Sequence, residues 1–310
     1  MTSNDPSGGA PAQSGHVLSW LKSPVAALLF TMFFWACTTI VVRYSHQDVP
    51  PIGLAFWRNF FATLFILPFA FQATRNQWPL IRAHLPLLTL LSALLWVGGN
   101  AMLFLSLQFT IAINAALINS VEPVLIILAA AILFRDRISL LQGAGVTVSL
   151  IGVVVLLTAG SFARLLNLEL NIGDLIVFCA HVFWSLYAVL LRKLPRGLDA
   201  RAMRFMLVGL GALLLLPIYI VESMYFRAMP VTQISVASAI GLGLFSCAIA
   251  MYLWNYAIQT MGAARAGQFL HLIPAFTVLL AVALLGERFA AYHLAGIALI
   301  VAGIWLTSRG

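Results

Sequence analysis

Residues 85–121 read LPLLTLLSALLWVGGNAMLFLSLQFTIAINAALINSV, a run of 37 residues without a charged side chain. A helix needs about 20 apolar residues to cross roughly 30 Å of hydrocarbon, so this run is too long for one membrane span and suits two. We therefore predict a helical hairpin with a tight turn near Gln108 to Asn114. Lipid offers no hydrogen-bond partner to backbone N–H and C=O groups, so each span is expected to be a helix, which satisfies them internally.

Eight further spans complete the set. The chain is 62% hydrophobic and 8% charged, with a mean hydropathy of +1.02, so most of it is expected to lie in lipid. Seven spans are predicted at residues 24–42, 52–74, 138–158, 175–191, 205–221, 266–286 and 289–308, and the eighth in a second charge-free run of 37 at 228–264, with its turn near Thr260, Met261 and Gly262. The prediction is an all-α integral membrane protein with ten transmembrane helices.

The chain is also an internal repeat. Trp35 and Arg43 recur as Trp184 and Arg192, at an offset of 149 residues. Later matches follow at an offset of 151, namely Pro123 with Pro274, Asp136–Arg137 with Glu287–Arg288, Gly145 with Gly296 and Gly152 with Gly303. Five spans per copy would insert the second copy upside down, and inverted repeats recur in transporters. We expect a disordered cytoplasmic tail at residues 1–23 and two inverted five-helix repeats at 24–160 and 171–307.

The positive charges predict an orientation. With a cytoplasmic N-terminus, 12 of the 17 lysines and arginines fall on the cytoplasmic side, as short loops prefer. The other five, placed outside, are Arg43, Arg58, Arg164, Arg227 and Arg288. Both termini are therefore predicted to be cytoplasmic. The net charge of +8 is attributed to topology and to contact with anionic membrane lipid, not to nucleic acid.

Several functional classes lack their sequence signals. The chain contains no HExxH, GxSxG or P-loop motif and no acidic metal cluster, which disfavours an enzyme. Cys37, Cys179 and Cys247 have no metal-ligand spacing and are interpreted as small apolar residues within spans. We expect no cofactor and no metal site. The paired glycines of spans five and ten are expected to let helices approach closely.

Polar and aromatic side chains deep in the spans are the candidates for substrate binding, because such groups face a bundle interior or a cavity. Aromatic rings can stack on a flat solute, and amides and imidazoles can hydrogen-bond a carboxylate. The alternatives are helix packing for the aromatics and interhelical hydrogen bonds for the amides. The candidates are Trp35, Thr38, Trp96, Asn100, Asn119, Glu122, His181, Trp184, Tyr187, Tyr252, Asn255, Gln268 and His271, which together would line one central cavity.

Glu122 is the only carboxylate predicted well inside a span, and its repeat mate is Ile273. One hypothesis is a proton-linked site, since burial favours the neutral carboxyl. The other is a buried, hydrogen-bonded structural group beside Pro123. Pro123 and Pro274 are predicted at mid-span, where proline bends a helix, either as moving kinks or as static ones.

Ten spans in two copies, each with a proline in its fourth span, resemble the drug/metabolite transporter superfamily and, within it, the EamA-type domain. The resemblance includes an acidic-basic pair at the end of that span, as Arg135, Asp136, Arg137 in the first copy and Gly286, Glu287, Arg288 in the second. The first copy departs from the pattern at Arg135 and Asp136. Overall, the chain looks most like the aromatic amino acid exporters.

The resemblance implies a transporter in the bacterial inner membrane that exports aromatic or other hydrophobic amino acids by alternating access. Other metabolites such as nucleotide sugars or drugs, or a channel-like facilitator, are the alternatives. The expected partners are a small-molecule substrate, membrane lipid and protons, with no nucleic acid. A monomer is expected, with an oligomer as the alternative.

Overall fold

The computed structural model describes residues 23–45, 49–106, 109–110, 118–167, 171–285 and 290–308. These residues form ten long helices, two short ones (Trp78–Ala83 and Phe162–Leu166) and no β-strand. The ten are α1 (Pro24–Ser45), α2 (Pro51–Asn76), α3 (Leu85–Ser106), α4 (Glu122–Phe134), α5 (Leu140–Leu157), α6 (Ile172–Lys193), α7 (Ala200–Tyr225), α8 (Gln233–Met261), α9 (263–285) and α10 (Ala291–Ser308).

Eight of these helices are long and apolar enough to cross a membrane. The other two, α4 and α10, are shorter apolar helices. The predicted all-helical membrane class is thereby confirmed. Three predictions lie outside the described residues: the disordered tail up to residue 22, the turn between the third and fourth spans at 111–114, and the motif at 286–288.

The second predicted turn is present and sharper than expected. Thr260 and Met261 are still helical, and only Gly262 leaves the helix, with a φ of 88° that favours glycine. The end of α4 also has a residue in the left-handed region, since Arg135 adopts a φ of 56°. The mate of Arg135 in the second copy is Gly286, a residue suited to that conformation.

Local sequence explains where the helices begin. Ser139 and Gln142 form a capping box at the start of α5, and Asn171 and Asp174 form another at α6. Asp199 caps α7 by accepting from the Arg201 N–H at 2.8 Å. The hydrogen bond from the Arg201 side chain lowers the pKa of Asp199 to about 2, so this cap is ionised at neutral pH.

The repeat mates α2 and α7 lie antiparallel against each other. At one end, the Glu222 carboxylate of α7 accepts from the N–H groups of Ile52 and Gly53, at 3.0 and 2.6 Å. At the other end, Gln77, which follows α2, donates to the Gly197 carbonyl and accepts from the Asp199 N–H. The end of each helix therefore contacts the beginning of its mate.

The mates α5 and α10 also lie antiparallel, and the predicted role of their glycines is confirmed. A Cβ built on Gly152 would lie 2.7 Å from the Gly296 carbonyl oxygen, and one on Gly303 would lie 2.5 Å from that of Gly145. Real Cβ atoms do not approach so closely. The two backbones touch because these positions carry no side chain.

Both copies contain a π-helical segment of nine residues in their third helix. The segments are Ala93–Ala101 in α3 and Leu242–Ala250 in α8, which are related by the repeat offset of 149. A π-helix bonds each N–H to a carbonyl five residues back, and such segments are frequent at functional sites. No sequence pattern predicted this feature.

Glu222→Ala is expected to lower the free energy of unfolding by roughly 1–3 kcal/mol, because two buried N–H groups at the start of α2 lose their acceptor. The measurement is thermal unfolding of the purified protein in detergent. Glu222→Gln keeps one acceptor oxygen, so its melting temperature should lie between those of Glu222→Ala and the wild type. Equal melting of the alanine variant and the wild type would contradict the cross-copy cap.

Candidate functional site

The polar interior is organised around a break before α4. Residues 118–119 are helical, Ser120 and Val121 form a turn, and the α-helix starts at Glu122, with Pro123 in its first turn. In the second copy, the 3-10 turn Gln268–His271 precedes the α-helical part of α9 at Leu272. Proline fits a first turn because the missing N–H has no helical partner there. Pro123 therefore lies in the first turn of α4, and Pro274 lies in the first turn of the segment Leu272–Leu285.

Glu122 pairs with His181 of α6. The two side chains meet at 2.9 Å between Oε2 and Nδ1, and are 8% and 1% exposed. The Glu122 backbone lies at the N-terminal end of α4. The second imidazole nitrogen, Nε2 of His181, is buried without a hydrogen-bond partner among the described residues. This carboxyl–imidazole pair can hold a proton on either partner.

His271 lies on the other side of the same break. Its Nε2 is 2.8 Å from the Ser120 carbonyl oxygen and its Nδ1 is 2.6 Å from the Ser149 hydroxyl of α5. A carbonyl can only accept, so Nε2 carries a proton. A neutral imidazole would accept at Nδ1 from the Ser149 hydroxyl, whose one proton has the Val146 carbonyl oxygen, at 3.0 Å, as a second acceptor. His271 therefore connects α9 to α5 and to the turn before α4 through hydrogen bonds.

Trp184 connects the His181 pair to α3. Its ring contacts the His181 ring edge-on, at 5.1 Å between centroids. Its indole N–H donates to the Leu95 carbonyl at 3.1 Å, and Asn100 Nδ2 donates to the same oxygen at 2.9 Å. The acceptor Leu95 and the donor Asn100 lie in the π-helical segment, and Gly99 of the same segment leaves the space that Trp184 fills.

Arg58 completes the arrangement. Arg58 was counted among the outside charges, and it lies within α2, where it is 3% exposed. Its guanidinium hydrogen-bonds the Asn100 amide oxygen. It also lies over the rings of Trp96 and Phe104, at 5.7 and 5.0 Å from their centroids. Aromatic faces attract a desolvated cation.

We call this connected set of groups the polar chain. It crosses six helices drawn from both copies, and its steps are hydrogen bonds except for the ring contact between Trp184 and His181 and the covalent backbone between Glu122 and Ser120. Its members are Arg58, Asn100, the Leu95 carbonyl, Trp184, His181, Glu122, the Ser120 carbonyl, His271 and Ser149.

Several predicted residues lie outside the polar chain. Tyr187 donates to the Asn255 amide oxygen at 2.8 Å. A cavity of about 50 Å³ is lined by Asn255, Tyr252 and Arg204, with Arg204 stacked 3.5 Å from the centre of the Tyr252 ring. Of the residues expected to line one central cavity, Tyr252 and Asn255 line this one.

The remaining candidates make local contacts. Trp35 packs against the Trp254 ring at 5.4 Å, and Thr38 donates to the Phe34 carbonyl of its own helix. Gln268 is 1% exposed and donates to the Ala264 carbonyl. Asn119 is half-buried in the helical residues just before the turn at Ser120, and Trp96 donates to the Leu207 carbonyl.

Sequence reasoning missed Arg58, Ser120 and Ser149. A backbone carbonyl such as that of Ser120 leaves no signal in a sequence, and a single serine in an apolar helix is common. Arg58 had a signal, because extending the second span to Ile52 placed a charge inside a helix. Charges within spans mark functional sites by default.

The described residues contain no group of three or more His, Cys, Asp or Glu side chains that could hold a metal ion. Their chemistry consists of a buried cation, a carboxyl–imidazole pair and aromatic faces. Such groups suit the binding of an organic solute and the transfer of a proton.

Comparison with known proteins identifies a family. A model of the EamA-like transporter family matches residues 22–158 and 171–309. The uncharacterized transporter YyaM of Bacillus subtilis is 28% identical, over 91% of this chain and 92% of its own. A protein of Streptantibioticus cattleyicolor named a probable terminal-alkyne amino-acid exporter is 27% identical, over 93% and 94%. A solved crystal structure covers 92% of this chain and 96% of its own at a TM-score of 0.76 and 19% identity, a likeness of fold.

Proposed function

The chain belongs to the EamA-like transporter family, and we propose that it moves small, partly apolar metabolites across the membrane by alternating access. The observation that carries this proposal is the polar chain, which joins helices of both copies through buried groups. A movement of one copy against the other would break or remake these contacts. The relatives named above are transporters, in line with a role that is not enzymatic.

The proposed topology has ten spans, with two inverted repeats at residues 24–160 and 171–307 and both termini in the cytoplasm. The antiparallel packing of α2 with α7 and of α5 with α10 supports inversion. Loop contacts agree with the charge count. Asp136 pairs with Arg192 at 2.5 Å, and both were placed on the cytoplasmic side. The Thr110 hydroxyl donates to Asp174, so the end of α3 and the start of α6 lie together, as the proposed topology requires.

The proposed substrates are amino acids, with aromatic and other hydrophobic ones preferred, and the proposed direction is export. One distant relative is named an amino-acid exporter, and the polar chain is flanked by aromatic rings such as Trp96 and Trp184. We place the protein in a bacterial inner membrane as a monomer surrounded by lipid. Protons are proposed as the coupling ion because of the Glu122–His181 pair.

We expect the purified protein in liposomes to catalyse saturable counterflow of an aromatic amino acid. Preloaded unlabelled substrate should drive transient uptake of the labelled form well above its equilibrium level, because a carrier exposes one site to each side in turn. The panel should include the other amino acids, a nucleotide sugar and a cationic drug. Uptake that does not saturate and shows no counterflow would indicate a channel instead. Exchange confined to the nucleotide sugar or the drug would overturn the amino-acid class.

A further inference from the structure

Arg58 is a buried cation without a counter-charge in the described structure. It is 3% exposed, and its Nε is buried without a hydrogen-bond partner. The ion pairs of the described residues involve His181, Arg192 and Arg201, and none of them reaches Arg58. A charge removed from water is costly unless an opposite charge or full hydrogen bonding offsets the loss. Asn100 and two aromatic rings supply only part of that compensation.

The fold does not require a charge at this position. At the repeat offset of 149, Arg58 corresponds to Leu207 and Asn100 corresponds to Ile249. The second copy therefore builds the same pair of helices, including the π-helical segment, with apolar side chains at both places. If Arg58 only supported the packing of its helix, a leucine would suffice, because Leu207 fills the equivalent position in the second copy.

The surroundings of the guanidinium are polar on one side and aromatic on the other. Asn100 is oriented by its own donation to the Leu95 carbonyl, so its amide oxygen faces Arg58. The neighbouring Asn59 is 0% exposed, and both of its amide atoms are buried without a hydrogen-bond partner among the described residues. Arg58 lies seven residues after Pro51, about 10 Å along α2 from its beginning at 1.5 Å per residue. The site is thus inside the bundle, near one end.

We propose that Arg58 and Asn100 form the site for the carboxylate of the transported solute. The guanidinium presents a planar set of donors that matches a carboxylate with two hydrogen bonds, which an ammonium does not. In this structure, the amide oxygen of Asn100 occupies the place on the guanidinium where a carboxylate oxygen would bind. Trp96 and Phe104 then flank the adjoining apolar part of the solute. This inference rests on the proposed function and names the charged group that the site selects.

The test compares each exchanged amino acid with the amine that lacks its carboxylate. Phenylalanine is paired with 2-phenylethylamine and leucine with 3-methylbutylamine, in counterflow with proteoliposomes. The wild type should prefer the acid. Arg58→Gln should reduce exchange of the acid by about tenfold or more, while exchange of the amine changes much less, since a charge-assisted hydrogen bond is lost only for the acid. Arg58→Lys should retain part of the preference.

Asn100→Asp provides a second variant that does not depend on tolerating the loss of Arg58. The new carboxylate pairs with the guanidinium, which offsets the lost donation from residue 100 to the Leu95 carbonyl, so the protein should melt close to the wild type. Exchange of the acid should nevertheless fall by about tenfold or more, because the site is filled by its own anion. A structural role would leave exchange unchanged. The matched control is Arg75→Gln, the same substitution at the exposed end of α2, which should keep the wild-type preference.

The outcomes separate the two proposals. Wild-type exchange of acids and amines at equal rates would overturn the carboxylate site and leave the transporter intact. An Asn100→Asp variant that exchanges the acid like the wild type would do the same. Absence of amino-acid exchange by the wild type would overturn the proposed function, and the carboxylate site with it.

Discussion

Glu122→Gln is expected to abolish accumulation driven by a pH gradient while leaving counterflow measurable. Glutamine keeps an oxygen that can accept from His181 Nδ1, so the contact between α4 and α6 survives. Under the proposed coupling, the variant lacks the carboxyl that would exchange a proton, and with it the link between proton movement and substrate movement. The measurement is uptake into proteoliposomes with and without an imposed pH gradient. The gradient should raise uptake by the wild type and leave the variant at its equilibrium level.

Two comparisons sharpen this prediction. Glu222→Gln changes another carboxylate to an amide at a helix end, away from the polar chain, and should preserve the response to the gradient. His181→Gln should reproduce the loss, and the double variant should add little, because partners in one pair are not additive. Full gradient-driven accumulation by Glu122→Gln would restrict the pair to a structural role.

Gly145→Leu is expected to prevent stable packing of α5 against α10. The leucine side chain would enter the space of Thr307 and of the Gly303 backbone, which cannot move without separating the helices. Overpacking commonly costs about 1–3 kcal/mol and more where backbone is displaced. Thermal unfolding and size-exclusion chromatography in detergent should show a large loss of folded, monodisperse protein.

The control for this change lies in the same helix. A Cβ on Gly143 meets nothing within 4 Å, so Gly143→Leu should melt close to the wild type. Helix propensity changes equally in both variants, which leaves the contact with α10 as the difference between them. Similar melting of the two leucine variants would refute the direct approach of the two backbones.

The spans, the turn at Gly262 and the glycine contacts could be predicted because their causes are local or repeated. Apolar length determines a span, and small residues repeated seven apart mark a helix stripe. The π-helical segments were missed because α- and π-helices draw on the same residues. The break before α4 was not predicted, because Pro123 suits both a kink within a helix and a first turn.

For the polar chain, only some of its residues could be predicted from the sequence, and none of the contacts between them. Asn100, Glu122, His181, Trp184 and His271 were identified as deep polar or aromatic groups, and the polar chain includes all five. Their pairing was not predictable, since spacing within one helix does not specify which residues of another helix it meets.

The Leu95 carbonyl has a consequence for how movement is transmitted. This single oxygen accepts from Asn100 of its own helix and from Trp184 of α6. If α6 withdraws from α3, the oxygen loses the Trp184 donor and keeps only the Asn100 donor, which is the amide that faces Arg58. The orientation of that amide is therefore sensitive to the distance between the two copies, although α6 supplies no hydrogen bond to Arg58. Through this one peptide oxygen, the distance between α3 and α6 affects the orientation of the Asn100 amide that binds the Arg58 guanidinium.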